Sequence, residues 1–339
     1  MSCPKGFRCS LALAAALLLS CFHVQAQLFR TYVASDGNDA NPCTLPAPCR
    51  LLPAAITAVA NGGEIWMLDS ANYNSGPVNV TKSVTILAIP GAVGSVVALG
   101  GAAMVAATPG VGLTLRNLVI VPIPGGGGTR GIDMTAGASL TVEGCLFANL
   151  PTGGIYVDAG PAVVSISDTT IRGSGSSGLT LVGTVKASVA RSKITGSSAA
   201  NIFVLNNSGG EGTLDVTDSV ISGSGSGLYA EAHNAGTFSR ISVSNSEIVQ
   251  HAGYGVFGMA DLSAAVTLLV ANNTITNNNY GLHVQGDNAK AWLSGNMVGH
   301  NNFGLSSNGN GVVESAGNNA VRFNPSGNTS GTVTPIGAM

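Results

Sequence analysis

A repeat of roughly 20 to 30 residues runs through most of this chain and restricts its fold more than any other feature. A glycine, once an asparagine, is followed by an aliphatic residue at that spacing: Gly131-Ile132, Gly154-Ile155, Gly178-Leu179, Asn201-Ile202, Gly227-Leu228, Gly255-Val256, Gly281-Leu282 and Gly304-Leu305. Between these doublets run pairs of apolar residues five positions apart: Leu115/Ile120, Val142/Phe147, Ile166/Ile171, Val189/Ile194, Val216/Ile221, Val243/Ile248, Val270/Ile275 and Leu293/Val298. A recurring period of this length indicates a solenoid of stacked units.

Each unit is predicted to contain a strand, a tight turn, a strand, a looser turn and a third strand. Residues 139–142 and 163–166, for example, alternate in polarity with the period of half-buried strands. Seven of the eight tight-turn positions are Gly, Asn or Asp, which tolerate a left-handed backbone: Asn117, Gly144, Asp168, Arg191, Asp218, Asn245, Asn272 and Gly295. The next position is small and polar from Thr169 onward, so we expect hydrogen bonds along the turn or between coils.

Other repeat folds fit poorly. A propeller blade takes about 40 residues and four strands, and the Leu-x-x-Leu-x-Leu pattern of leucine-rich repeats is missing. Three short strands per unit predict an all-β, single-stranded parallel β-helix. Coils of such a solenoid stack at roughly 4.8 Å.

Residues 1–26 are predicted to be a secretory signal peptide. Lys5 and Arg8 precede an apolar stretch at 11–19, and small residues around Ala26 offer a cleavage site. An alternative is a lipoprotein anchored at Cys21. No other segment is apolar for long enough to span a bilayer.

The mature chain is predicted to have three parts. Residues 27–63 would hold a disulfide between Cys43 and Cys49 and a capping helix at 53–60 that begins with proline. Residues 64–317 would form the β-helix, and 318–339, where the pattern fades, a C-terminal cap. Cys145 occupies an interior repeat position and is interpreted as a core residue.

Charge excludes some functions. Charged residues make up 9% of the chain and the net charge is −2, so binding to nucleic acid or acidic membranes is not expected.

Several segments resemble exported bacterial right-handed β-helix repeat proteins. They are residues 31–43 with 48–50, residues 62–65, residues 80–84 and residues 317–322. The resemblance covers essentially the whole mature chain and implies a right-handed coil. The wider relatives are pectate-lyase-like polysaccharide lyases and hydrolases, but the resemblance implies no particular activity for this subgroup.

Motifs for polysaccharide cleavage are missing from the sequence. There is no acidic calcium cluster beside a basic residue, no Gly-His-Gly and no Arg-Ile-Lys. Asp168, Arg191 and Asp218 would stack at one turn, which we interpret as a salt-bridge ladder, with a calcium or acid/base site as the alternative. Asp215 is interpreted as a solvated surface group. The histidines lack metal-ligand spacing, so no metal site is predicted.

An outward-facing row lies two residues after each doublet. It comprises Asp133, Tyr156, Thr180, Phe203, Tyr229, Phe257, His283 and Ser306. Four successive rings, from Phe203 to His283, predict a stacking face for sugars, with Tyr156 and the nearby Trp292 as further members. The alternatives are that loops or the C-terminal segment cover the row, or that it is a self-association surface.

We therefore favour an exported, non-catalytic β-helix that binds glycan or serves as a periplasmic or extracellular scaffold. The alternative is a polysaccharide lyase or glycoside hydrolase using Asp168, Arg191, Asp218 or Asp215. No cofactor is expected, and calcium enters only with the lyase alternative.

Overall fold

The computed structural model describes residues 27–261 and 263–337 and consists of three parallel sheets that wind into a solenoid. The predicted fold class, a parallel β-helix with three strands per coil and a short N-terminal helix, is confirmed. The predicted signal peptide at 1–26, with Cys21, lies outside the described residues. Within the described residues, no helix has the length and apolar character needed to cross a membrane.

Each sheet collects one strand from every coil. The first sheet contains Leu28–Val33, Val59–Met67, Val84–Ala88, Gly112–Arg116, Ser139–Glu143, Val163–Ser167, Lys186–Ala190, Gly210–Thr217, Thr237–Ser244, Ala265–Ala271, Ala289–Ser294, Val312–Ala316 and Val333–Ile336. The second contains Ala71–Asn72, Gly94–Ala98, Leu118–Pro122, Leu146–Ala148, Thr170–Arg172, Lys193–Thr195, Val220–Ser222, Glu247–Val249, Thr274–Thr276, Met297–Gly299 and Ala320–Arg322. The third contains Val78–Asn79, Met104–Ala106, Arg130–Met134, Gly153–Val157, Ser177–Val182, Ala200–Asn206, Ser226–Ala232, Tyr254–Ala260, Tyr280–Gln285, Phe303–Asn308 and Gly327–Ser330.

The apolar pairs that are five residues apart line the interior. Val189, for example, is in register with Ile166 below and Val216 above, and all three are essentially inaccessible to solvent. Its partner in the pair, Ile194, is buried in the same way on the second sheet. The two residues of a pair are five positions apart because the chain passes from an inward position on the first sheet, through the tight turn, to an inward position on the second sheet.

The N-terminal helix is shorter than predicted. It spans Leu52–Ala58, with proline in its first turn, whereas the sequence suggested residues 53–60. Val59 is already extended and starts the first-sheet strand Val59–Met67, which pairs with Leu28–Val33. The predicted division between residues 63 and 64 therefore falls inside a strand.

The C-terminal segment continues the solenoid. The strands Ala320–Arg322, Gly327–Ser330 and Val333–Ile336 extend all three sheets by pairing with the coil below. Residues 318–337 thus form most of a further coil, although their hydrophobic pattern is weak.

The tight turns have the backbone that their residue types predict. All eight positions have positive φ, from 46° at Arg191 to 68° at Gly295. Arg191 is the one residue of the eight that does not favour this conformation, and its side chain reaches Asp168 on the preceding coil.

Small polar side chains connect successive coils beneath these turns. The backbone N–H of each residue donates to the side chain of the equivalent residue one coil later, as from Ser219 to Ser246 (3.1 Å) and from Ser246 to Asn273 (2.9 Å). This outer ladder comprises Leu118, Cys145, Thr169, Ser192, Ser219, Ser246, Asn273, Asn296 and Asn319. Cys145 is a buried member, and burial raises the pKa of its thiol to about 11, so its thiol is inert.

A second ladder lies inside the looser turn and was not predicted from the sequence. Its members follow those of the outer ladder by five residues: Ser224, His251, Asn278, Asn301 and Asn324. Their backbone N–H groups donate in the same direction, at 3.0 to 3.3 Å. Together the two ladders satisfy buried polar groups that an apolar core would leave without partners.

Candidate functional site

The predicted outward row is continuous on the outer face of the third sheet. Phe203, Tyr229, Phe257 and His283, which we call the aromatic row, are in register on four successive strands. Adjacent ring centroids are 5.3, 4.7 and 5.5 Å apart. The row is therefore a stack of rings held together by sheet geometry.

The upper half of this row is covered. A second set of rings, Tyr254, Tyr280 and Phe303, lies three residues before the row position on its own strands. Tyr254 stacks on Phe257 at 4.3 Å, and Tyr280 packs beside His283 at 5.3 Å. Phe257 and His283 are consequently only 3% and 7% exposed. The expectation that they form an open stacking face is corrected, because aromatic neighbours from the same strands lie over them.

The lower half of the row borders an open groove, which we call the trough. At the positions equivalent to Tyr254, the four preceding coils carry small residues, Gly153, Ser177, Ala200 and Ser226, and the coil before them carries Arg130. Two cavities of about 210 Å³ lie above this floor and share Ser176, Ser177 and Phe203 as lining residues. Tyr156, Phe203 and Tyr229 form the wall, with the shorter Thr180 between Tyr156 and Phe203.

At the lower end of the trough, the side chain of Arg130 holds the Tyr156 ring in place. The guanidinium of Arg130 lies 4.1 Å from the centre of the Tyr156 ring and 3.2 Å from the carboxylate of Asp133. The Tyr156 hydroxyl donates to Asp158 at 3.2 Å. The ring orientation of Tyr156 is thus set by contacts on both its face and its hydroxyl.

A carboxylate–imidazole–carboxylate cluster lies behind the upper end of the wall. His233 Nε2 is 3.2 Å from Glu231, and Nδ1 is 2.9 Å from Asp261 on the next coil. Partial burial alone would lower the pKa of His233, but its bonds to the two carboxylates outweigh burial and raise it. Burial and the nearby Glu231 carboxylate also raise the pKa of the Tyr229 hydroxyl, and the Tyr229 ring itself lines the trough.

This cluster was not predicted from the sequence, although it has a signal there. Tyr229, Glu231 and His233 alternate along one strand edge, which brings them to the same outward side. Asp261 belongs to the following unit, and only the coil register places it beside His233.

The predicted catalytic candidates lie elsewhere. Asp168 and Arg191 form a bidentate ion pair at 2.7 and 2.9 Å, and this contact with Arg191 lowers the pKa of the Asp168 carboxyl. The predicted ladder is therefore a pair, and Asp218 lies beyond ion-pairing distance among the described contacts. Asp215 is exposed on the first sheet, where Ser188 and Ser242 flank it.

The other ring residues are also scattered. Trp292 is 38% exposed on the first sheet, beside Leu269, and so is separate from the aromatic row on the third sheet. His251 belongs to the inner ladder and His300 stacks on Phe323, so neither shares a site with His283. Over residues 27–261 and 263–337, no group of histidine, cysteine and carboxylate residues has the arrangement of a metal site.

Comparisons with known proteins agree with this architecture. A family model described as the right handed beta helix region matches residues 108–266 and, again, 153–325. The chain belongs to this family. No curated protein matches it.

The solved structures that resemble this chain include the following three. Pectate lyase Pel9A has a TM-score of 0.51 at 13% identity, over 91% of this chain and 78% of that one. The A-module of the Azotobacter vinelandii mannuronan C-5 epimerase AlgE4 has a TM-score of 0.46 at 12% identity, over 81% and 89%. The GH136 lacto-N-biosidase from Eubacterium ramulus has a TM-score of 0.47 at 10% identity, over 91% and 68%. At these identities the likeness to Pel9A shows the fold alone.

Proposed function

We propose that this protein is an exported, non-catalytic β-helix that binds a glycan chain in the trough. The observation that carries the proposal is an open groove with aromatic rings along one wall and a floor of small residues that includes the hydroxyls of Ser177 and Ser226. Sugar rings present apolar C–H faces and polar edges, so they match a surface that offers ring faces beside hydroxyl groups.

The test removes the rings that remain accessible. In a Phe203→Ala, Tyr229→Ala double variant, retention on immobilised polysaccharide should fall about tenfold or more, since each stacked ring contributes on the order of 1 kcal/mol. Trp292→Ala is the matched control, because it removes an exposed ring from a different sheet. Equal retention of the double variant and the wild type on a broad glycan array would remove the proposal.

Self-association through the same surface is the competing interpretation. It predicts that the wild type and the double variant differ in oligomeric state when both are measured by sedimentation. It also predicts that neither protein is retained on immobilised polysaccharide. The open trough between Tyr156 and Phe203 favours a narrow ligand over a flat protein partner.

Export is part of the proposal and has its own support. Cys43 and Cys49 form a disulfide with a Cα–Cα distance of 4.6 Å, as suits a periplasmic or extracellular protein. Mass spectrometry of the exported protein should give Gln27 as the N-terminus. An N-terminal, lipid-modified Cys21 would instead support the lipoprotein alternative.

A second candidate function is cleavage of the bound polysaccharide. The specific observation favouring it is the cluster of Glu231, His233 and Asp261 beside Tyr229, which can hold and move protons next to the trough. These residues replace Asp168, Arg191, Asp215 and Asp218 as the catalytic candidates. Ultraviolet absorbance for unsaturated uronides, with and without Ca²⁺, and a reducing-sugar assay test it. A product that survives in Glu231→Gln and His233→Ala variants would count against this cluster.

A further inference from the structure

The trough is nearly free of charge. Among the described residues that line its two cavities, Arg130 is the one charged side chain, and the others are hydroxyl, aliphatic, aromatic or glycine residues. Arg130 is already engaged by the Asp133 carboxylate and the Tyr156 ring. The floor therefore offers hydroxyl groups to a ligand, but no free cation along its length.

Carboxylates stand behind both ends of the wall. Asp158 accepts the hydroxyl of Tyr156, and Glu231 follows Tyr229 by two residues on the same strand, with Asp261 beyond it. His233 offsets part of this negative charge by lying between Glu231 and Asp261. The carboxylates of an anionic glycan would lose their hydration on entering the trough. They would also be repelled by the protein carboxylates behind the wall.

We infer that the trough accepts an uncharged glycan chain and excludes polyuronates, an inference that rests on the proposed glycan binding. The floor from Gly153 to Ser226 crosses four successive strands, or roughly 14 Å, enough for roughly three sugar rings. Hydroxyl groups from Ser176, Ser177 and Thr180 can exchange hydrogen bonds with sugar hydroxyls without any change of charge. If the chain is also cleaved, hydrolysis is then the reaction open to it, because elimination needs the acidified C–H of a uronate.

Thr180 is the position to perturb. It is half-buried and in register between Tyr156 and Phe203, on the wall beside the floor. Equivalent positions on the coils above carry Phe203, Tyr229 and Phe257, so this site accepts a large side chain. Thr180→Lys adds an ammonium group to the trough, whereas Thr180→Phe adds a large neutral side chain at the same position. Ser188→Lys, at an exposed position on the first sheet, is the matched charge control.

The experiment measures binding of cellohexaose, chitohexaose and hexagalacturonate to the whole mature protein by calorimetry. The wild type should bind a neutral hexasaccharide at least tenfold more tightly than hexagalacturonate. Thr180→Lys should gain tenfold or more for hexagalacturonate, whereas Thr180→Phe and Ser188→Lys, which add no charge to the trough, should not. Unchanged circular dichroism and melting temperature establish that each variant is folded.

Each other outcome overturns the inference in a different way. Equal or tighter binding of hexagalacturonate by the wild type refutes the charge argument but leaves glycan binding intact. Failure of Thr180→Lys to gain over Ser188→Lys refutes the assignment of selectivity to the trough. No binding of any hexasaccharide by the wild type refutes both this inference and the proposed function.

Discussion

His251 is predicted to make the solenoid sensitive to acid, because its imidazole lies buried between two coils, where burial disfavours the charged form. The ring is 2% exposed, and its Nδ1 accepts the backbone N–H of Ser224 at 3.3 Å. Its Nε2 lies 3.2 Å from the carbonyl of Ile221, to which it donates. A second proton on Nδ1 would face the Ser224 N–H and break that contact, leaving the Ser224 hydroxyl, 2.9 Å away, as the acceptor for Nδ1.

The magnitude follows from the pKa. Burial lowers the pKa of His251 from 6.5 to about 4, against smaller opposing effects from its bonds to Ile221 and Ser224. The unfolded chain therefore binds this proton more readily than the folded protein. The associated stability is fully present above pH 6.5 and is lost as the pH falls from 6.5 through about 4. The difference between the two pKa values corresponds to about 3 kcal/mol of unfolding free energy.

Asparagine is the matched replacement, because the next coils use it in the same way. Asn278 donates from Nδ2 to the carbonyl of Ile248 at 3.2 Å, and Asn301 donates to that of Ile275 at 2.9 Å. His251→Asn should keep both bonds without a titrating group. His251→Ala should lower the unfolding free energy by about 3 to 5 kcal/mol at neutral pH, since it leaves two buried backbone groups without partners.

Urea unfolding of the wild type and His251→Asn at pH 7.5 and at pH 4 tests this expectation. The carboxylates titrate in both proteins, so the difference between the two isolates His251. We expect that difference to change by about 3 kcal/mol in favour of the variant at pH 4. A difference in unfolding free energy that is the same at both pH values would refute the role assigned to His251.

Three further predictions follow from the turns, the disulfide and the surface ion pair. Gly144→Ala should lower the unfolding free energy by about 1 kcal/mol because φ is 61° there, and Gly144→Asn by less, as measured by urea unfolding. Cys43 and Cys49 should resist alkylation in the native protein until reduced; labelling of both without reductant would contradict the disulfide. Asp168→Asn should leave both the melting temperature and glycan retention nearly unchanged, since its ion pair with Arg191 is exposed.

The solenoid could be predicted from sequence because its rules are local and repeat. Each unit repeats the same three features. They are two apolar residues that lie five positions apart, a residue with a left-handed backbone at the tight turn between them, and, in most units, a small polar residue directly after that turn residue. The inner ladder follows the same rule: adding five to Ser246, Asn273 and Asn296 gives its members His251, Asn278 and Asn301.

The candidate site was harder to predict because the exposure and the contacts of an outward-facing residue depend on neighbours that the repeat pattern does not specify. Alternation shows that Phe257 faces outward, but Tyr254 on the same strand decides that it is covered. Likewise, Glu231 and His233 are ordinary surface residues until the register brings Asp261 beside them.

From Ser192 onward, coil length varies mainly at one corner of the solenoid. Successive members of the outer ladder are 27 residues apart from Ser192 to Asn273 but 23 apart from Asn273 to Asn319. In the longer coils the first-sheet strands grow to eight residues, Gly210–Thr217 and Thr237–Ser244, against five in Lys186–Ala190. In these coils the extra residues are therefore absorbed where the third sheet passes to the first, which is where Glu231, His233 and Asp261 meet. Both hydrogen-bonded ladders stay in register through these coils, so residues at that corner can change in number and kind without disturbing the stacking of the solenoid.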